Sequence, residues 1–317
     1  MRDDRSLLEA LLGDGRFLVA LTGFSVALSG LFAILQSVSG HLLPHDSHAI
    51  GMDAAALSHA ANPHLVAFMF HDRVAYGGSL LAIGLGYLWL AGFPMASGFV
   101  WAWQALVVSG GIGFLAFLTY IGKGYLDSWH GVATLLLLPA FAGAVWRSRP
   151  QGTRGSYSRI EVEHALAKWG RRLLSACAAG LILAGATIAV FGMTTVFVPT
   201  DLAFIGLDPA RIERISPMLI PLISHDRAGF GGGLCSIGAF LLFVSRNAEI
   251  TRNLVQIVAL MGAVGFGCAI AVHFAIGYTD FWHLLPAFIG LAIFLCAAGL
   301  LWAGRAKAAE ATCAMRT

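Results

Sequence analysis

Histidine, aspartate and arginine stand together twice in a chain that is otherwise poor in charge. His71-Asp72-Arg73 is followed by Gly77-Gly78 and then by Gly124-Tyr125-Leu126-Asp127-Ser128-Trp129-His130. His225-Asp226-Arg227 is followed by Gly231-Gly232 and then by Gly277-Tyr278-Thr279-Asp280-Phe281-Trp282-His283. The offset is 154 for the triplet and 153 for the second stretch. Imidazoles and carboxylates ligate metals and move protons, and a guanidinium pairs with carboxylates or with the propionates of a cofactor. Both copies hold the same chemistry in the same order.

The elements that must position these groups are membrane spans. Only 12% of residues are charged and 58% are hydrophobic, whereas soluble domains carry about a quarter charged residues. Eight apolar stretches approach the ~20 residues that a spanning helix needs: Phe17–Val38, His64–Ala91, Ala96–Ile121, Trp129–Trp146, Leu173–Val198, Leu219–Val244, Leu254–Ile276 and Trp282–Ala303. Glycines inside them suit close helix approach in a bilayer. No cleavable leader is evident, because the first apolar run is long enough to span. The net charge of +3 gives no argument for nucleic acid.

Lys and Arg cluster before the first span, between the fourth and fifth (Arg147 to Arg172), between the sixth and seventh, and after the eighth. The positive-inside rule makes that side cytoplasmic and puts both termini there. The expected fold is all-α, with eight transmembrane helices arranged as two parallel four-helix repeats. Residues 1–146 form the first repeat, 147–172 a cytoplasmic linker and 173–317 the second. The repeat reaches the outer segments: Pro44, Asp46, Ile50, Gly51 and Asp53 match Pro199, Asp201, Ile205, Gly206 and Asp208 at a constant offset of 155. The expected location is the cytoplasmic (inner) membrane of a bacterium, in contact with the lipid bilayer.

This topology gathers both copies into one layer near the outer face. Ionisable groups inside spans pair with one another, so Arg73 is expected on Asp127 or Asp72, and Arg227 on Asp280 or Asp226. Such a supporting network of Asp72, Asp127, Asp226 and Asp280 explains the carboxylates and guanidiniums but not the histidines. Two imidazoles on different helices of a four-helix unit suit the axial positions of haem b. Arg73 and Arg227 then stand near propionates, and Gly77, Gly78, Gly231 and Gly232 offer room for a flat cofactor or for close helix packing.

Outside the repeat, His41, His45, His48, His59 and His64 lie in the first outer segment, whose second-half partner has no histidine. They read as solvated loop residues. His273 reads as a hydrogen-bonded core residue or an alternative ligand. Tyr125, Tyr278, Trp129 and Trp282 read mainly as interfacial anchors. The five cysteines, none in an outer loop, read as buried thiols without a disulfide.

Eight spans in two four-helix halves, an outer segment after the first span of each, and histidines on the second and fourth helices resemble the haem A synthase family. In that family, too, the second-helix histidine is followed closely by Arg. The resemblance covers most of the chain as architecture, and it implies that His71 pairs with His130, and His225 with His283, as axial ligands of haem. Two departures stand against haem A synthesis itself. Phe68 and Leu222 occupy the positions three before the second-helix histidines, where the family has its catalytic glutamate, and the segment Gly40–Pro63 lacks the cysteine pair of many members. The expected function is a haem-binding redox protein or haem-using oxidoreductase, with quinone or another membrane redox protein as electron partner. Two alternatives stand beside it: a non-haem metal-dependent enzyme at the outer face, in which His71, His130, His225 and His283 are metal ligands, and a transporter or structural membrane protein.

Overall fold

A computed structural model describes residues 13–122, 124–125, 128–150 and 164–314, with the backbone alone for Tyr120, Ser128, Trp129 and 308–314. All regular elements among the described residues are helical. Eight are long and apolar enough to cross a membrane: α1 (Arg16–Val38), α4 (Pro63–Gly92), α5 (Val100–Phe117), α7 (Ser128–Arg147), α8 (Ala165–Met193), α11 (Leu219–Asn247), α12 (Arg252–Ile276) and α13 (Phe281–Ala314). Helix α8 begins inside the stretch read as linker. A four-residue helix, α6 (Thr119–Gly122), follows α5.

Each outer segment folds into two short helices, α2 (Pro44–Ile50) and α3 (Ala54–Ala60) in the first, α9 (Pro199–Ile205) and α10 (Pro209–Ile215) in the second. The five matched residues explain this shape. Proline opens the first helix, where its missing N–H costs nothing. Gly51 and Gly206 close it at φ 77° and 70°, a left-handed conformation that glycine adopts without a Cβ penalty. Asp53 and Asp208 then cap the second helix, accepting from Ala56 N and Arg211 N at 2.8 Å each. Ile50 and Ile205 are buried in a hydrophobic cluster that also holds Leu57, Phe68, Ile212 and Leu222.

The centre of the bundle is the pair α4 and α11, the most buried of the spans. Helix α1 packs on α4 as α8 packs on α11. A Cβ on Gly77 would come within 2.8 Å of Gly30 O, and one on Gly231 within 2.5 Å of Gly185 O. These backbones touch because neither side has a side chain there. The third helix of each half packs across the molecule, α12 against α4 and α5 against α11. Gly78 accommodates Cys268 on α12, and Gly232 accommodates Ala116 on α5. The space beside these four glycines is therefore filled by neighbouring helices.

The two halves also clasp reciprocally at the outer end. Asn62 caps α4 through Leu65 N at 2.9 Å and donates to Ile205 O at 2.8 Å. Ser216, at the matching position, donates to Ile50 O at 3.5 Å. Of the cysteines, Cys177 is buried, Cys235 and Cys268 are half-buried, and Cys296 is exposed on the apolar outside of the bundle, so burial holds for only part of the set.

Candidate metal centre

The HDR triplet sits in the third turn of α4 and at the corresponding depth of α11, and the two triplets face one another. Arg73 reaches Asp226 at 2.8 Å, and Arg227 reaches Asp72 at 3.1 Å. Each arginine also holds the aspartate of its own outer helix: Arg73 to Asp46 at 2.8 Å, Arg227 to Asp201 at 2.7 Å. The ion pairs expected within one half, Arg73 with Asp127 or Asp72 and Arg227 with Asp280 or Asp226, are replaced by these. Along a helix, residues one apart point away from each other, so Asp72 and Asp226 each face the opposite helix. Asp280 instead caps α13, accepting from His283 N at 2.8 Å. Asp127 lies outside the described residues.

The tyrosines of the repeated Gly-Tyr are buried, not interfacial anchors. Tyr125 donates to Asp46, and Tyr278 donates to Asp201 at 2.9 Å. Burial, and then the neighbouring aspartate, push both phenols well above their ordinary range, because a phenolate there is desolvated beside a carboxylate. Both hydroxyls therefore remain donors. Trp282 is exposed, as an interfacial anchor requires.

The histidines are sorted across the halves as well. His71 on α4 meets His273 on α12, Nε2 to Nε2 at 2.9 Å, and lies beside His283 on α13 with ring centroids 6.3 Å apart. His225 on α11 meets His130 on α7, Nε2 to Nε2 at 3.2 Å. The pairs implied by the resemblance, His71 with His130 and His225 with His283, are thus exchanged between halves. The crossed packing of α12 on α4 accounts for the His71–His273 contact.

Hydrogen bonding sets the first cluster's protonation. His273 Nδ1 lies 2.7 Å from Ala269 O, a carbonyl that can only accept. His71 Nδ1 lies 3.0 Å from an Asp72 carboxylate oxygen, while the other oxygen holds Arg227. Both Nδ1 atoms must donate, so each neutral ring turns an Nε2 lone pair towards the other. Two lone pairs at 2.9 Å repel unless a cation stands between them. His283 Nδ1 lies 3.2 Å from the Tyr278 hydroxyl, whose proton goes to Asp201 or Thr200. His283 is thereby also directed to present Nε2. One ligand atom from each of His71, His273 and His283 falls within 4.8 Å of the others. The edges of a metal-centred tetrahedron with 2.0–2.1 Å bonds are about 3.3 Å, a change reached by small ring rotations. Carboxylate, carbonyl and hydroxyl partners on the remote ring nitrogens are the outer-shell arrangement that metal-binding histidines use.

Haem fits this arrangement poorly. An iron bonded to both axial nitrogens at roughly 2 Å each needs them about 4 Å apart, with a macrocycle between. The Nε2 atoms are 2.9 and 3.2 Å apart, the glycines face helices, and both arginines are committed to carboxylates. The residues as placed do not fit a haem held by these imidazoles, and no step is derived through one.

Sequence reasoning missed His45. It lies on α2 with its ring 5.3 Å from that of His130 and Nε2 3.3 Å from Asp46, while His41, His48, His59 and His64 are exposed as expected. Its signal was adjacency to Asp46, a repeated residue. A cavity of about 600 Å³ lined by Arg16, Phe99, Trp103, Trp146 and Arg147 opens at the other end of the bundle, roughly 30 Å along α4 from His71 at 1.5 Å per residue. It gathers no metal-binding set, so the chemistry rests with the imidazoles. Compared with known proteins, the chain matches no family, no curated protein and no solved structure.

Proposed function

We propose that this chain is a multi-pass protein of the cytoplasmic membrane, built of two parallel four-helix repeats with both termini inside, that works as a non-haem metal-dependent enzyme at the outer face. The metal is a divalent transition ion on Nε2 of His71, His273 and His283. The observation that carries this reading is the convergence of three imidazoles, two of them with Nε2 lone pairs fixed face to face by acceptors on Nδ1. Nitrogen ligands suit Zn, Cu, Fe or Ni, and three protein ligands leave a fourth position for water or substrate. An ion so held lowers the pKa of bound water and polarises a carbonyl or phosphoryl oxygen. Hydrolysis or hydration of a substrate reaching the outer leaflet is the reaction class that follows.

The arginines and aspartates have a different task. They tie α2, α4, α9 and α11 together and hold His71 and Tyr278 in place. Elemental analysis of the detergent-purified chain after extensive dialysis tests the proposal. Stoichiometric metal is expected, with at least one equivalent lost in His273→Gln and in His283→Gln. A metal-free, folded preparation overturns it, and a Soret band in the visible spectrum returns the question to haem.

A further inference from the structure

We infer that the protein has a second three-histidine metal centre, formed by His225, His130 and His45, on the other side of the central ion pairs. This extends the reading of the first cluster, and the two stand or fall separately. The geometry repeats with the halves exchanged. His225 occupies on α11 the place of His71 on α4, and His130 on α7 the place of His283 on α13. The ring centroids of His225 and His130 are 4.9 Å apart, and those of His130 and His45 are 5.3 Å apart. Phe117 stacks on His130 and Tyr125 stands against it edge-on, walling the cluster with aromatic carbon.

The third imidazole comes from a different element in each cluster. In the first it is His273 on α12, and at an offset of 153 the first half has Tyr120. In the second it is His45 on α2, and at the outer-segment offset of 155 the second half has Thr200, which accepts a hydrogen bond from Tyr278 at 2.9 Å. A duplicated scaffold that had kept histidines only for packing would repeat the third one at the same place or lose it. Here each cluster reaches three by its own route. His45 keeps 13% of its side chain exposed, against 2% for its neighbour Asp46, and so offers a path from the outer surface.

Charge supports two cations. Asp46, Asp72, Asp201 and Asp226 are all buried in the ion-pair layer, opposed by the guanidiniums of Arg73 and Arg227 alone. Excess buried negative charge is costly. One cation at each end of the layer relieves it symmetrically.

Titration of the dialysed full-length protein in detergent with Co²⁺, followed by visible absorbance, tests the inference. The native chain is expected to take two equivalents. His45→Gln and His130→Gln should each take one, His273→Gln should take one, and His45→Gln/His273→Gln should take none. His59→Gln, in the same outer segment, should still take two. If His45→Gln does not fold, His130→Gln still decides. One equivalent in the native chain, lost in His273→Gln and kept in His45→Gln and His130→Gln, overturns the second centre and leaves the first. No Co²⁺ uptake by folded native protein overturns both.

Discussion

The two imidazole clusters share a scaffold and differ in how each is finished. Asp72 serves Arg227 with one carboxylate oxygen and His71 Nδ1 with the other. Asp226 serves Arg73 with one, while its Oδ1 has no hydrogen-bond partner among the described residues. Tyr278 touches both Asp201 and His283, whereas Tyr125 is engaged with Asp46. Hydrogen bonds therefore hold the first cluster more tightly than the second, although the ion pairs beneath are the same. The lesson is a division of labour: the repeated Asp and Arg residues build the frame, and the unrepeated His45 and His273 complete the sites.

The frame is where that comparison breaks hardest. Arg227→Ala strands Asp72 and Asp201, and Arg73→Ala strands Asp46 and Asp226. Removing one member of a buried pair costs about 3–5 kcal/mol. Both variants should thus lose most of their thermal stability in detergent. Arg227→Ala should fare worse, since it also loses Val196 O at 2.7 Å and the face of Phe68 at 4.8 Å. Adding Asp201→Ala should recover part of the loss. If either single variant melts within a degree or two of the native chain, the frame is not built on these pairs.

The tyrosines give a smaller and more discriminating effect. A hydrogen bond to a charged acceptor contributes about 1.5–3 kcal/mol, so Tyr125→Phe and Tyr278→Phe should each lose that much. Metal binding should separate them: Tyr278→Phe frees His283 Nδ1 and should weaken the first centre roughly 10–100-fold, whereas Tyr125→Phe should leave it unchanged. Both phenols are raised in the folded chain by burial and their aspartates. Their contribution is thus complete below the unfolded value of about 10 and is lost as pH rises beyond it. Melting curves should show an alkaline limb that begins near pH 10, shallower in each variant. A limb as steep in both variants as in the native chain would place the alkaline loss elsewhere.

Much of the frame was legible in the sequence, and its partners were not. Apolar stretches marked the eight spans because a bilayer dictates their length. The repeated Asp46 and Asp201 announced themselves by a constant offset, yet their bonds to Arg73 and Arg227 join residues 27 and 26 apart across a turn of the chain. Spacing alone favours nearer neighbours such as Asp72. The crossing of α12 to α4 and α5 to α11 was hidden for a related reason: two parallel halves pack separately or exchanged with the same hydropathy pattern. That ambiguity misassigned the histidine pairs. His45 looked solvated because its segment is polar and its counterpart is threonine, and only the fold brings α2 over His130.

The smallest effect bears on the equivalence from which the rest is argued. Asp53 and Asp208 cap α3 and α10 with the same acceptor geometry, 2.8 Å to the backbone N–H three residues on. Replacing an N-cap aspartate by alanine costs about 1 kcal/mol. Asp53→Ala and Asp208→Ala should therefore lose equal stability, with Co²⁺ uptake unchanged in both. Equal losses would confine the difference between the halves to the imidazoles and their Nδ1 partners. A loss in one copy only would mean that the outer segments are not equivalent in their energetics. The correspondence of His45 with Thr200 rests on the same 155-residue offset, so the argument that each cluster completes its own third ligand would lose that support while the distances around His130 remained.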